Sequence, residues 1–240
     1  MNTREFPRMD ASAHKSINYR TKALPRWILR RVLRSEQAKI YRHFAASFPP
    51  RPDWRILEVG TNGSLTDRQD YFLHCMYPHP GQITAAGLEE PEVFQSVFPD
   101  YTYVQVKRSS PLPFGDESFD LVFCNAVVEH AGSREQQRRF LEEVLRVGQR
   151  AFITTPNRRH PVEFHTVTPL LHYLPPSIYR PIYAGLGFEF FSKEENLNLL
   201  DAEELLDLLG PNARERAELT FHRFLGLKSN LLLSVRARTE

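Results

Sequence analysis

The chain has 240 residues, 41% hydrophobic and 25% charged, enough to bury a full core as one α/β domain with an added cap. Its net charge of +2 is uneven: residues 1–55 carry 13 Lys or Arg against 4 Asp or Glu, a balance of +9, so residues 56–240 carry −7. Cys75 and Cys124 fit no metal spacing and can build no disulfide framework, which points to a reducing, cytoplasmic location. An apolar run near 18 residues and an export signal are both lacking, so neither membrane spanning nor secretion is expected.

Residues 1–50 read as a basic segment followed by a helix over 24–48, with Leu29, Leu33, Ile40, Phe44 and Phe48 on one face and Arg30, Arg31, Arg34, Lys39 and Arg42 around them. Pro49-Pro50 stops it. The helix reads as packing on the domain edge with a solvated basic face, or as a cap or lid that could also touch an anionic membrane surface. Interleaved aromatics and Gly-rich loops are lacking, so nucleic acid is not an expected partner.

From residue 51 the pattern becomes strand and helix in alternation. Ile56, Leu57 and Val59 form a short apolar run that ends in the turn Gly60-Thr61-Asn62-Gly63-Ser64, a glycine turn at a strand end where a ligand can approach the main chain through free N–H groups. Glu58 stands where a strand interior would normally carry an apolar side chain, and burying a carboxylate is costly without a partner. A helix over 66–76 follows, with Tyr71, Phe72, Cys75 and Met76 inward. The second strand, 83–88, closes on Glu89 and Glu90, ahead of a helix over 91–98. A third strand covers 101–106, Leu112-Pro113-Phe114 follows, and the fourth strand, Phe119 to Cys124, runs out through Asn125 into Ala126-Val127-Val128-Glu129-His130.

Strand, glycine turn, strand ending in acid, strand and then LPF…FDLVFCNAVVEH resembles the class I S-adenosylmethionine-dependent methyltransferases, in particular their small-molecule branch. The resemblance covers residues 54–157. It implies a Rossmann-like α/β fold with a seven-stranded, mostly parallel sheet in the order 3-2-1-4-5-7-6, helices on both faces and a cap. It also implies S-adenosyl-L-methionine as cofactor and S-adenosyl-L-homocysteine as product. Glu58 then lies near the amino group of the methionine moiety, with Gly60, Thr61, Asn62 and Gly63 around it. Glu89 takes the ribose hydroxyls, a position shared with dinucleotide-binding folds. The acid that would take the adenine amino group is replaced by Arg108, which cannot accept a hydrogen bond, so adenine falls to backbone groups or to Ser109 or Ser110. Asn125 stands at the mouth where cofactor and acceptor meet. His130 is a candidate general base there with Glu129 orienting it or acting instead; His130 could equally brace the turn.

Ser133 caps a helix through Val147. A fifth strand covers 150–155. The segment 158–200 then inserts five prolines and seven aromatics, a cap suited to an apolar or ring-bearing small-molecule acceptor. His160, His165 and His172 with Glu163 match no metal spacing, so no metal is expected. Asp201 and Glu204 read as a helix start, and two last strands, 218–224 and 230–237, as a terminal hairpin. The function expected is methyl transfer to O, N or C of a small molecule. The alternatives are a lipid-linked or glycan acceptor at a membrane surface, and a non-catalytic methyltransferase-like scaffold. GTNGSL lacks the Gly-x-Gly-x-x-Gly spacing of a nicotinamide dehydrogenase.

Overall fold

The computed structural model describes residues 26–61, 72–99 and 101–238. Seven strands form one sheet: β1 (Ile56–Val59), β2 (Ile83–Gly87), β3 (Thr102–Gln105), β4 (Leu121–Asn125), β5 (Ala151–Pro156), β8 (Ala217–Phe224) and β9 (Leu227–Val235). A two-stranded ribbon, β6 (Val162–Glu163) and β7 (Thr168–Pro169), interrupts the series. The order is β3-β2-β1-β4-β5-β9-β8, parallel through β5 and antiparallel from there. This is the expected order, with the last two strands renumbered by the ribbon.

Alternation along the central strands splits the core in two. Leu57, Val59, Val122, Cys124 and Ile153 face one side, where Leu141, Val144 and Val147 of helix α4 (Arg134–Val147) and Leu205 of α7 (Ala202–Asp207) cover them. Ile56, Leu121, Phe123 and Phe152 face the other, under Ile40, Phe44 and Phe48 of α1 (Arg26–Ser47) and Leu73 of α2 (Phe72–Met76). Phe44 is fully buried, its ring edge-on to Phe123 and Phe152 at 5.3 Å from each. From Ile40 onward α1 is thus a core helix on the sheet face, while Leu33, expected on its apolar side, is 52% exposed. In α2 Leu73 and His74 point inward and Met76 packs partly against the core, while Cys75 is exposed, two residues and so about 200° around the helix from Leu73.

Helix α3 (Pro91–Val97) packs Phe94 against Tyr103 of β3. Ser133 caps α4 through a reciprocal pair with Gln136, and Asp201 caps α7 through one with Glu204. The segment after β5 holds the ribbon, α5 (Pro176–Gly185) and α6 (Glu189–Ser192); a short α8 (Pro211–Arg214) follows α7. Among the described residues no helix is long and apolar enough to cross a membrane.

Candidate active site

Strand order reverses between β2-β1 and β1-β4, and a crevice for ligands opens at the carboxyl ends of the strands at such a point. Glu58 is near the end of β1 and buried, its carboxylate 2.5 Å from Nδ1 of His74, so the isolated charge suspected from sequence has a partner in α2. Gly60 follows with φ +91°, and a Cβ there would overlap the Val127 side chain. Its N–H and that of Thr61 both donate to the carbonyl of Ala86, at 2.8 and 3.1 Å. These two N–H groups are therefore spent on fastening the turn to β2 and are not free for a ligand, a correction to the sequence reading. Thr61 is buried and its hydroxyl faces the Glu58 carbonyl at 3.5 Å. Asn62 and Gly63 lie outside the described residues.

Gly87, unmarked by the sequence, is as constrained as Gly60, because a Cβ on it would overlap the Thr61 carbonyl oxygen and the Tyr103 hydroxyl. That hydroxyl donates to the carbonyl of Glu89 at 2.9 Å, and burial pushes its pKa up to about 12. The Glu89 backbone is thereby fixed, while its half-exposed carboxylate makes no hydrogen bond or ion pair among the described residues. Glu90 occupies the N-cap of α3 without a side-chain capping bond, so helix capping does not use either acid.

Ser109 has φ +58° and its hydroxyl accepts a long bond, 3.5 Å, from Gln136 of the α4 capping box. Arg108 is committed as well: it donates to the carbonyl of His130 at 2.9 Å and to Asn196 Oδ1 at 3.2 Å. It ties the turn after β4 to the inserted segment, which gives the unexpected cation a structural task.

At the end of β4, Asn125 Oδ1 accepts from the Thr154 hydroxyl at 2.6 Å. Ala126 follows with φ +55°, turning the chain sharply into Val127 to His130. Glu129 is fully buried; Thr155 donates to its Oε2 at 2.9 Å while Oε1 has no hydrogen-bond partner among the described residues. Burial pushes its pKa up to about 6. His130 places Nδ1 2.6 Å from the Asn196 carbonyl and Nε2 3.1 Å from Nε2 of His165. Burial, helped by the neighbouring His165, lowers its pKa to about 3. The side chains of Glu129 and His130 make no hydrogen bond to each other; the His130 ring meets the Asn196 carbonyl and His165 instead.

In the sequence His165 and Glu163 stood out only as histidine and acid of an insertion whose spacing matched no metal site. Glu163 is buried in the ribbon, and the loop wraps around its carboxylate. Oε1 takes the N–H of His165 at 2.8 Å and its Nδ1 at 2.7 Å, and Oε2 takes the N–H and hydroxyl of Thr166, each at 2.7 Å. The charge of His165 and these bonds outweigh the burial of Glu163 and hold its pKa at about 2. Although burial opposes it, Glu163 raises that of His165. A carbonyl and a carboxylate only accept, so Nδ1 carries the proton in both rings. Two neutral rings would then meet lone pair to lone pair at 3.1 Å, so a proton or a cation must lie between them. The signal in the sequence was Glu163-x-His165, readable only once the fold brought it to His130.

Of the seven aromatics in the insertion, Tyr179, Tyr183, Phe188 and Phe191 form a core of their own with Leu197 and Leu199. These four rings pack the inserted segment on itself. His172 and His160 are likewise turned to backbone carbonyls.

The sheet order and the crevice at its strand ends give the chain a Rossmann-like α/β fold with the ligand position of that fold at the ends of β1, β2 and β4. Residues 58–151 match the family model described as a methyltransferase domain. Among solved structures, an S-adenosylmethionine-dependent methyltransferase from Mesorhizobium loti is similar at 14% identity and a TM-score of 0.53, over 82% of this chain and 96% of that one. The N-terminal domain of EvdMO1, crystallised in the presence of S-adenosylhomocysteine and D-fucose, is similar at 16% identity and a TM-score of 0.50, over 84% of this chain and 82% of that one. The CurJ carbon methyltransferase aligns at 14% identity and 0.50, over 80% of this chain and 50% of that one. No curated protein matches the chain at a significant level.

Proposed function

We propose that the chain transfers a methyl group from S-adenosylmethionine to O, N or C of a small-molecule acceptor admitted beside the inserted cap. The observation that carries the reading is the carboxylate of Glu89 at the end of β2, unclaimed among the described residues, on a backbone fixed by Tyr103 beside the Gly60–Thr61 turn. A carboxylate so placed accepts both ribose hydroxyls of an adenosine. Glu58 and Thr61 would hold the methionine end, and Asn125 would border the sulfonium. Ser109 would serve adenine only if it released Gln136. The bound cofactor supplies an already activated methyl, so the protein's part is mainly alignment of acceptor, methyl carbon and sulfur. Where the acceptor must lose a proton, Glu129, poised near neutral, suits the task better than His130, whose lowered pKa makes it a weak base. Titration calorimetry with S-adenosylmethionine and S-adenosylhomocysteine tests the reading. Micromolar binding lost in Glu89→Ala is the expected result, and no binding of either ligand by the wild-type chain would favour the non-catalytic scaffold.

A second reading, a lipid-linked acceptor at a membrane surface, has one observation in its favour. Ile178, Ile182 and Leu186 stand exposed at four-residue intervals along α5 and beyond its end, beside Leu170 and Leu174. An apolar stripe of this kind suits an interface between water and lipid. Co-sedimentation with anionic vesicles that Ile178→Glu with Ile182→Glu abolishes is the expected result on this reading. Absence of co-sedimentation removes it.

A further inference from the structure

The contact between His130 and His165 has the geometry of two ligands on one ion. Cis ligands at about 2.0–2.2 Å from a shared cation lie roughly 3 Å apart, and the two Nε2 atoms are 3.1 Å apart. Glu129, His130 and His165 each offer one ligand atom, and the three atoms lie within 4.8 Å of one another. A proton between the rings would satisfy the imidazoles but leave Glu129 Oε1 as it stands, a buried oxygen without a partner among the described residues. A cation would satisfy all three once the Glu129 carboxylate is drawn in, because the ligand atoms span up to 4.8 Å and two ligands of one ion lie at most about 4.2 Å apart.

The surroundings point the same way. Metal-bound histidines donate their second ring N–H to a carboxylate or a backbone carbonyl, which fixes the ring and exposes the other lone pair. Here His165 donates to Glu163 and His130 to the Asn196 carbonyl, while Thr155 holds the second oxygen of Glu129. Glu129 and Glu163 together carry two negative charges, matched by a divalent ion. We propose that Glu129, His130 and His165 bind one divalent first-row transition-metal ion. Two imidazoles and one carboxylate suit zinc, iron(II) or manganese and leave coordination positions open. The sequence hid the set because two ligands follow β4 and the third arrives 35 residues later, on the ribbon. If the methyl-transfer reading holds, the ion would sit beside the acceptor and could bind an oxygen of it; the site itself does not depend on that reading.

The full chain, made without an affinity histidine tag and stripped with a chelator, is titrated with Co²⁺ while visible absorption is followed. We expect one Co²⁺ per chain, displacement of its bands by Zn²⁺, a rise in Tm on loading, and weakening of binding by 100-fold or more in His165→Gln. His79→Gln, on a distant turn, keeps wild-type binding. Failure of the wild-type chain to take up Co²⁺ overturns the proposal without reliance on any variant's folding, and so does uptake unchanged in both His165→Gln and Glu129→Gln. Calorimetry of the stripped chain with S-adenosylhomocysteine reads the cofactor site separately, so failure of one does not imply failure of the other.

Discussion

The two glycines at the ends of β1 and β2 carry unequal consequences although each would overlap a neighbour. At Gly60 a new methyl group meets the side chain of Val127 and the backbone must hold φ +91°, a combination expected to cost about 1–3 kcal/mol. At Gly87 the obstacle is the main-chain carbonyl of Thr61, which cannot rotate away without breaking the Gly60 and Thr61 bonds to Ala86. Gly87→Ala should therefore destabilise more than Gly60→Ala in urea unfolding; equal or reversed effects would contradict this ranking. Gly60 was legible because it closes an apolar run, whereas Gly87 looked like any small residue in a strand. Only the approach of a second strand's turn makes it indispensable.

Several elements are held by single charged or aromatic side chains. Arg146 of α4 grips both Glu143 oxygens at 2.8 Å, donates to the carbonyls of Leu112 and Phe114, and pairs with Asp116, while Glu143 also accepts the N–H of Leu112. The Leu112-Pro113-Phe114 motif is thereby pinned to α4 ahead of β4. The Arg146 bond holds the Glu143 carboxyl below its ordinary value of 4.5. A depressed carboxyl contributes stability that is present above its unfolded value and lost as pH falls below it. Glu143→Gln should accordingly flatten the loss of stability below about pH 4.5, measured as Tm against pH; an unchanged acid limb would refute the linkage. On the other face, Phe44→Ala should cost about 3–5 kcal/mol, since α1 is docked on the sheet through that ring. A loss below 1 kcal/mol in chemical denaturation would show that α1 is a peripheral element.

For the molecule as a whole, the two cysteines should report its division into surface and core. Cys75 is exposed and Cys124 is fully buried in the central strand, where desolvation raises its thiol pKa. One thiol should react with an aromatic disulfide reagent in the native state and two after denaturation; two in the native state would mean that the sheet opens readily. A groove of about 530 Å³ between α1 and β8, lined by Lys39, Arg42, His43 and Arg223, lies at the far edge of the sheet. It is remote from the strand ends that carry Glu58, Glu89 and Asn125, so its size does not make it the site of methyl transfer.

The order of the sheet came from the family resemblance, while the sequence by itself determined the strands, the caps at Ser133 and Asp201, and Glu58, Gly60, Glu89 and Asn125 as strand-end residues. These are local signals, set by side-chain period, turn chemistry and the position of polar residues at strand ends. Tertiary structure alone decided the partners: His74 for Glu58, Ala86 for the glycine-turn N–H groups, Asn196 for Arg108, and His165 with Glu163 for His130. Each of these is a contact between segments far apart in the chain or on different elements. No periodicity encodes such distances, because they arise from how a whole insertion packs over the ends of the sheet.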